Sequence, residues 1–145
     1  TSDVTVVPKK LAMVTDADKS FAAESLLTLK PGVQYVQLDL GEKYALQAIL
    51  IWHFHEYERV YHDVIVKVSN DPEFKEGVTE LFNNDHDKSA GMGEGKDKEY
   101  VEKAEGKLID AKGVEARYVR LYSQGNSSDD ANTYVEVEVY GKPVE

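Results

Sequence analysis

The chain has 145 residues, with 27 acidic side chains against 17 basic ones and a formal net charge of −10. That length suits one domain, and the negative field excludes nucleic acid or an anionic membrane as a partner held by overall charge. The sequence contains no cysteine, which excludes disulfides and thiolate metal sites, and no apolar run approaches the ~18 residues of a transmembrane helix.

In chain order, the first notable segment is Thr15-Asp16-Ala17-Asp18-Lys19-Ser20. On residue type alone, Asp16 and Asp18 read as caps of a short helical turn over Asp18 to Leu27. A strand is predicted over Gln34 to Leu40, where Val36, Leu38 and Leu40 recur with period two. Gly41-Glu42 is a turn signal. Ala45 to Phe54 is apolar on both faces, as a central strand is, and it places Trp52 in the core. Two further strands are predicted over Asp63 to Ser69, with Val64, Val66 and Val68 on one face, and over Val78 to Phe82.

The segment Asn83 to Gly106 is polar, carries glycines and has almost no core residues. A loop of this length in a compact domain is functional or held by specific contacts. Strands then return over Ala116 to Tyr122 and Tyr134 to Tyr140, the second burying Val135, Val137 and Val139, with the polar loop Ser123 to Asn132 between them. Further turn signals stand at Lys30-Pro31-Gly32, Asn70-Asp71-Pro72 and Gly141-Lys142-Pro143. Short strands at this spacing predict an all-β protein, a single antiparallel β-sandwich spanning 1–145.

Catalysis has little support. His53, His55 and His62 lack a partner glutamate at a zinc spacing, and no nucleophile elbow or phosphate loop is present. Carboxylates are too numerous for counting to exclude a glycosidase-like pair. Asn83, Asp85, Asp87, Ser89, Gly91 and Glu94 fall at the ligand positions of an EF-hand loop. Lys88 occupies its glycine position, Asn83 replaces its first aspartate, and flanking helices are not predicted. A turn whose Asn and Asp side chains bond their own backbone is the better reading.

Several segments resemble discoidin-type (F5/8 type C) domains, in the expected order. Val36-Gln37-Leu38-Asp39-Leu40-Gly41 resembles their hydrophobic-Asp-Leu-Gly strand end, and Val64 to Asn70 a later strand. Ala116 to Leu121 resembles their Arg-Tyr-hydrophobic-Arg strand, and Glu136 to Gly141 their final strand. Asn83 to Asp87 and Tyr122 to Asn126 look like the bacterial subset, the family 32 carbohydrate-binding modules. The resemblance implies a jelly-roll sandwich, a structural calcium ion and a sugar site in loops at one end. Thr15 to Ser20 is similar to the family's Asp-Gly-Asp-x-x-Thr loop, which implies Asp16, Asp18, Ser20 and Glu136 as calcium ligands. Ala17 stands where the family has glycine, and Ser20 keeps the hydroxyl of the usual threonine.

For the sugar, the nearest matches to the family's contact residues are His55, Tyr57 and Arg59, with His86, Lys88 and Asn126 as secondary candidates. Arg59 would grip a carboxylate or vicinal hydroxyls, His55 would donate a hydrogen bond, and Tyr57 would pack on the ring. Equally, Arg59 reads as an ion pair with Glu56 and Glu58, and Tyr57 as a cover over the sandwich end. Within the family the sequence is most similar to modules that take polygalacturonate, which implies an acidic plant cell-wall polysaccharide as partner. A neutral galactose or N-acetylgalactosamine module is the alternative. The implied setting is a monomer, without membrane insertion, in the periplasm or secreted after loss of a leader. With a net charge of −10, screening leaves local contacts dominant, and a calcium-bridged uronate is a further mode because pectin itself binds calcium. Adhesion to protein or phospholipid ranks low, since Met92 is the one large apolar side chain in the two polar loops Asn83 to Lys98 and Ser123 to Asn132.

Overall fold

The computed structural model describes residues 15–20 and 26–144. The fold is an antiparallel β-sandwich, as the periodicity predicts, and the family resemblance implies its jelly-roll type. Its strands are β1 (Leu27–Leu29), β2 (Gln34–His53), β3 (Ile65–Ser69), β4 (Thr79–Asn83), β5 (Lys107–Ser123) and β6 (Asn132–Pro143). They join in the order β1-β6-β2-β5-β3-β4, every pairing antiparallel. No α-helix occurs among the described residues. The short helical turn expected over Asp18 to Leu27 falls partly outside them.

β2 and β5 run for 20 and 17 residues, longer than one flat layer of a small sandwich accommodates. Their pairing divides into blocks. Gln34 to Asp39 pair with Tyr118 to Ser123, and Tyr44 to Ile51 with Lys107 to Ala116, with register shifts between. β3 and β4 extend the first block and β6 and β1 the second. The two blocks face each other across one core. Val36, Val66, Val68, Val119 and Leu121 enter it from one side, and Leu46, Ile49, Ile51, Ile109 and Val137 from the other.

The Gly41-Glu42 signal, expected to separate two strands, is instead a bulge inside one. Gly41 takes φ +86°, a conformation open to glycine at little cost, and its N–H donates to Asp39 Oδ1 at 2.8 Å. Pairing with β5 resumes beyond it, so the chain bends without reversing. Arg117 clamps the bend from β5: its Nε and Nη2 donate to the two oxygens of Asp39 at 2.7 and 2.9 Å.

The Arg117 hydrogen bond, followed by that from Gly41 N–H, holds the Asp39 carboxyl down at about 2 against an ordinary 3.8. Its folded form therefore binds a proton less readily than its unfolded form. The stabilisation is complete above the ordinary value and fades as pH falls through about 2. Asp39→Asn is expected to flatten this acid limb in urea denaturation across pH 2–5. An unchanged limb would show that the clamp contributes nothing to stability.

Candidate functional site

Three connections meet at one end of the sandwich. The β2–β3 connection, residues 54–64, lies between the long β4–β5 loop and the β5–β6 loop, and backbone bonds fasten it on both sides. Glu102 N donates to Arg59 O and Val101 bridges to Val60 on one side. Gln124 N, Ser127 N and His62 N close the other, bonding to His62 O, Val60 O and Gly125 O respectively.

Beneath this junction lies a polar cluster. His53 ends β2 and is 1% exposed, and Glu102 of the long loop is 3% exposed. His53 Nδ1 donates to Glu102 Oε1 at 2.7 Å. The imidazole stacks on Tyr61 at 4.3 Å and tilts against Tyr134 at 4.7 Å. Burial, moderated by the nearby charge of Arg59, pushes the Tyr61 hydroxyl up to about 12. Burial and then the Glu102 charge raise Tyr100 well above the ordinary phenol range.

Beside this cluster, Asn84, His62, Asp63, His86, Asp87, Ser89, Glu99 and Gln124 line a cleft of 370 Å³ between the three loops. Asn84 is buried at 2% exposure, its Oδ1 accepting from Val64 N at 2.7 Å. His86 Nε2 donates to Asp97 O at 2.6 Å. Ser89 Oγ donates to Asp63 Oδ2 at 2.8 Å and lies 3.5 Å from Gln124 Oε1. Burial raises the Asp63 carboxyl, and the charges of Asp85 and Asp87 add to the rise.

The residues predicted for the sugar site are distributed unevenly around this end. His86 lines the cleft. Tyr57 stands out at 67% exposure. His55 Nδ1 donates to His53 O at 2.8 Å. Arg59 departs from the expected ion pair with Glu56 and Glu58: its side chain is only 9% exposed, with the guanidinium over Phe54 at 4.7 Å and 3.7 Å from Asp129. Its ion-pair partner thus comes from the last loop and is neither Glu56 nor Glu58. Lys88 pairs with Glu94 at 3.4 Å. Asn126 is committed to its own loop: Oδ1 accepts from Ser128 N and Asp129 N, and Nδ2 donates to Asp129 Oδ1 and Ala131 O. Of the residues lining the cleft, His86 alone was among the sugar contacts expected from the sequence; His62, Asp63, Asn84, Asp87, Ser89, Glu99 and Gln124 were not. Their polarity was visible, but only the loop junction brings them together.

The segment expected to hold calcium has the right chemistry. Asp16 Oδ1 accepts from Asp18 N, and Asp18 Oδ1 from Ser20 N, both at 2.9 Å. Ala17 adopts φ +66°, the left-handed conformation that glycine would adopt without strain. Glu136 is 0% exposed, and its Oε2 is buried without a partner among the described residues. Burial pushes its carboxyl up to about 7, opposed by the Val137 N–H and reinforced by the charge of Asp16. An orphaned buried carboxylate oxygen that feels the charge of Asp16 fits a hard cation with oxygen ligands. Asp16, Asp18, Ser20 and Glu136 would hold it.

No protein-family model matches the chain, and no curated protein does. Solved structures do match. One is a family 89 glycoside hydrolase from Clostridium perfringens in complex with PUGNAc, at TM-score 0.69 and 22% identity over 91% of this chain. The chain spans only 12% of the length of that enzyme. The family 32 carbohydrate-binding module of AlyQ, in complex with 4,5-unsaturated mannuronic acid, aligns at TM-score 0.64 and 16% identity, over 90% of this chain and 84% of that one. A pectin-binding carbohydrate-binding module aligns at TM-score 0.64 and 20% identity, over 90% and 79%. These likenesses define the fold: it is the β-sandwich of family 32 modules.

Glu102→Ala would leave His53 Nδ1 buried without an acceptor, at a cost of about 1–3 kcal/mol. Urea denaturation checks the loss, and hydrogen exchange should show it concentrated in the loop 83–106. Uniform exchange across the chain would argue that Glu102 does not pin the loop.

Proposed function

We propose that the chain is a non-catalytic carbohydrate-binding domain of an exported bacterial protein, taking uronate-containing polysaccharide of the polygalacturonate type at the loop end. The observation that carries this reading is the 370 Å³ cleft, lined throughout by hydrogen-bonding side chains. A sugar ring presents hydroxyls that both donate and accept, so a wall mixing amides, imidazoles, a hydroxyl and carboxylates suits it. Exposed Tyr57 on the adjoining loop offers an aromatic face for the C–H side of a ring. Support for an acidic sugar comes from the shared fold of modules described with unsaturated mannuronic acid and with pectin, and from the imidazole of His62 in the cleft wall.

One observation favours a second reading. Asp63, Asp87 and Glu99 make the cleft acidic, which suits a neutral galactose or N-acetylgalactosamine whose hydroxyls donate to carboxylates. Calorimetric titration separates the two. For the acidic reading, oligogalacturonate should give saturable heat that weakens with salt and is not displaced by galactose. His62→Ala should then weaken binding roughly tenfold, the worth of one hydrogen bond to a charged group. Displacement by galactose, with no oligogalacturonate heat, would establish the neutral reading instead.

The proposal includes a structural calcium ion on Asp16, Asp18, Ser20 and Glu136, tying the segment before β1 to β6. Calcium at 100 times its dissociation constant should then stabilise the fold by about 2.7 kcal/mol. The gain is read as a rise in Tm on adding calcium to chelator-treated protein. Glu136→Gln should abolish most of that rise, and an equal rise in the variant would move the ion elsewhere.

A further inference from the structure

Among the described residues, the cleft at the loop end is lined by carboxylates and by no permanent cation. Asp63, Asp87 and Glu99 stand in its wall, and neither lysine nor arginine does. The nearest candidates by sequence are engaged elsewhere: Arg59 lies over Phe54 and beside Asp129, and Lys88 pairs with Glu94. An anionic sugar entering such a cleft meets repulsion that a positive charge within it must offset. The side chains of the wall able to acquire one are the imidazoles of His62 and His86.

The two histidines are not equivalent. His86 Nε2 is committed to Asp97 O at 2.6 Å. His62 is fixed through its backbone instead, its N–H donating to Gly125 O and its O accepting from Gln124 N, both at 2.9 Å. Its side chain is 44% exposed, so the ring exchanges protons with solvent. Glu99 Oε1 lies 3.7 Å from its Nδ1, too far for a hydrogen bond and close enough for an ion pair when the imidazole is charged. The other groups around it are Asp63 of its own connection, Asp87 and His86 of the long loop, and the uncharged Gln124 of the β5–β6 loop.

Histidine ordinarily changes charge between about pH 5 and 8. Protonated, the ring carries a donor on each nitrogen. Nδ1 then pairs with Glu99, which leaves Nε2–H for the carboxylate of a sugar. Neutral, the ring offers one donor and no charge, and the three carboxylates of the wall oppose the sugar's own.

We propose that His62 is the residue that admits an anionic sugar to the cleft, and that it does so in its protonated form, so that uronate binding takes up a proton and strengthens as pH falls. The proposal rests on the acidic-polysaccharide reading above. Its sign follows from linkage: a ligand that prefers the protonated protein draws a proton onto it, and for one coupled proton the affinity changes by up to about tenfold per pH unit.

Calorimetric titration with trigalacturonate at pH 6 and at pH 8 tests this, the ligand's carboxylates being ionised at both. Affinity should be roughly tenfold higher at pH 6. Repeating the pH 8 titration in buffers of different ionisation enthalpy should show net proton uptake by the protein. His62→Gln removes the charge at a half-exposed position and keeps a hydrogen-bonding side chain; circular dichroism checks that it folds. The variant should bind at both pH values as weakly as the unaltered chain does at pH 8. Equal affinity of the unaltered chain at the two pH values overturns the proposal, and so does a pH dependence that survives in His62→Gln. Both of those outcomes leave acidic-sugar binding standing. No heat with trigalacturonate at either pH sinks the acidic-sugar reading and the proposal with it.

Discussion

A hydrogen bond of 2.7 Å between His53 and Glu102, with side chains 1% and 0% exposed, anchors the loop end of this sandwich. Polar groups are tolerated in such a place only when they are paired. The pair therefore dictates where the chain must run. It fastens the end of β2 to the far part of a long loop that has few apolar side chains to bury. Val60 and Val101 bridge beside it, and Tyr61 and Tyr134 pack on the imidazole. Placed this way, the loop lies alongside the β2–β3 connection and forms one wall of the cleft.

The remainder of that loop is organised on the same principle. Asn83, Asn84 and Asp85 are buried despite their polarity. Asp85 accepts from Ser89 N and Ala90 N, and Asp97 Oδ2 from Asn83 N. Gly95 donates to Asp85 O at 2.7 Å. A Cβ on Gly95 would sit 2.4 Å from Asn83 O, so only glycine permits the approach. These contacts make the segment a fixed scaffold despite its lack of regular structure, which is what a recognition site requires of its supports.

Charge gives the candidate cation site at Glu136 its logic. The chain carries −10, and part of that charge is concentrated where carboxylates are buried or crowded, around Glu136. Such groups gain far more from a bound cation than exposed carboxylates do, because water no longer compensates them.

The sequence by itself determined the all-β class, the approximate position of most strands and the location of the polar loops. Each of these depends on period-two alternation and local turn chemistry, which neighbouring residues encode directly. It did not determine that Gly41 bends a single strand, because a bulge and a reversing turn share the same local signal and differ only in what pairs beyond them. It did not reveal β1, whose three residues are ordered by pairing with Asn132 to Tyr134. The candidate site was legible only in outline. His86 and the carboxylates of its loop could be singled out by residue type. Their meeting with His62, Asp63 and Gln124 and the burial of Arg59 against Asp129 were decided by the tertiary structure. Contacts between residues 20 to 70 positions apart leave no periodic trace in a chain, and loop side chains acquire their partners only when the strands have set the distance between them.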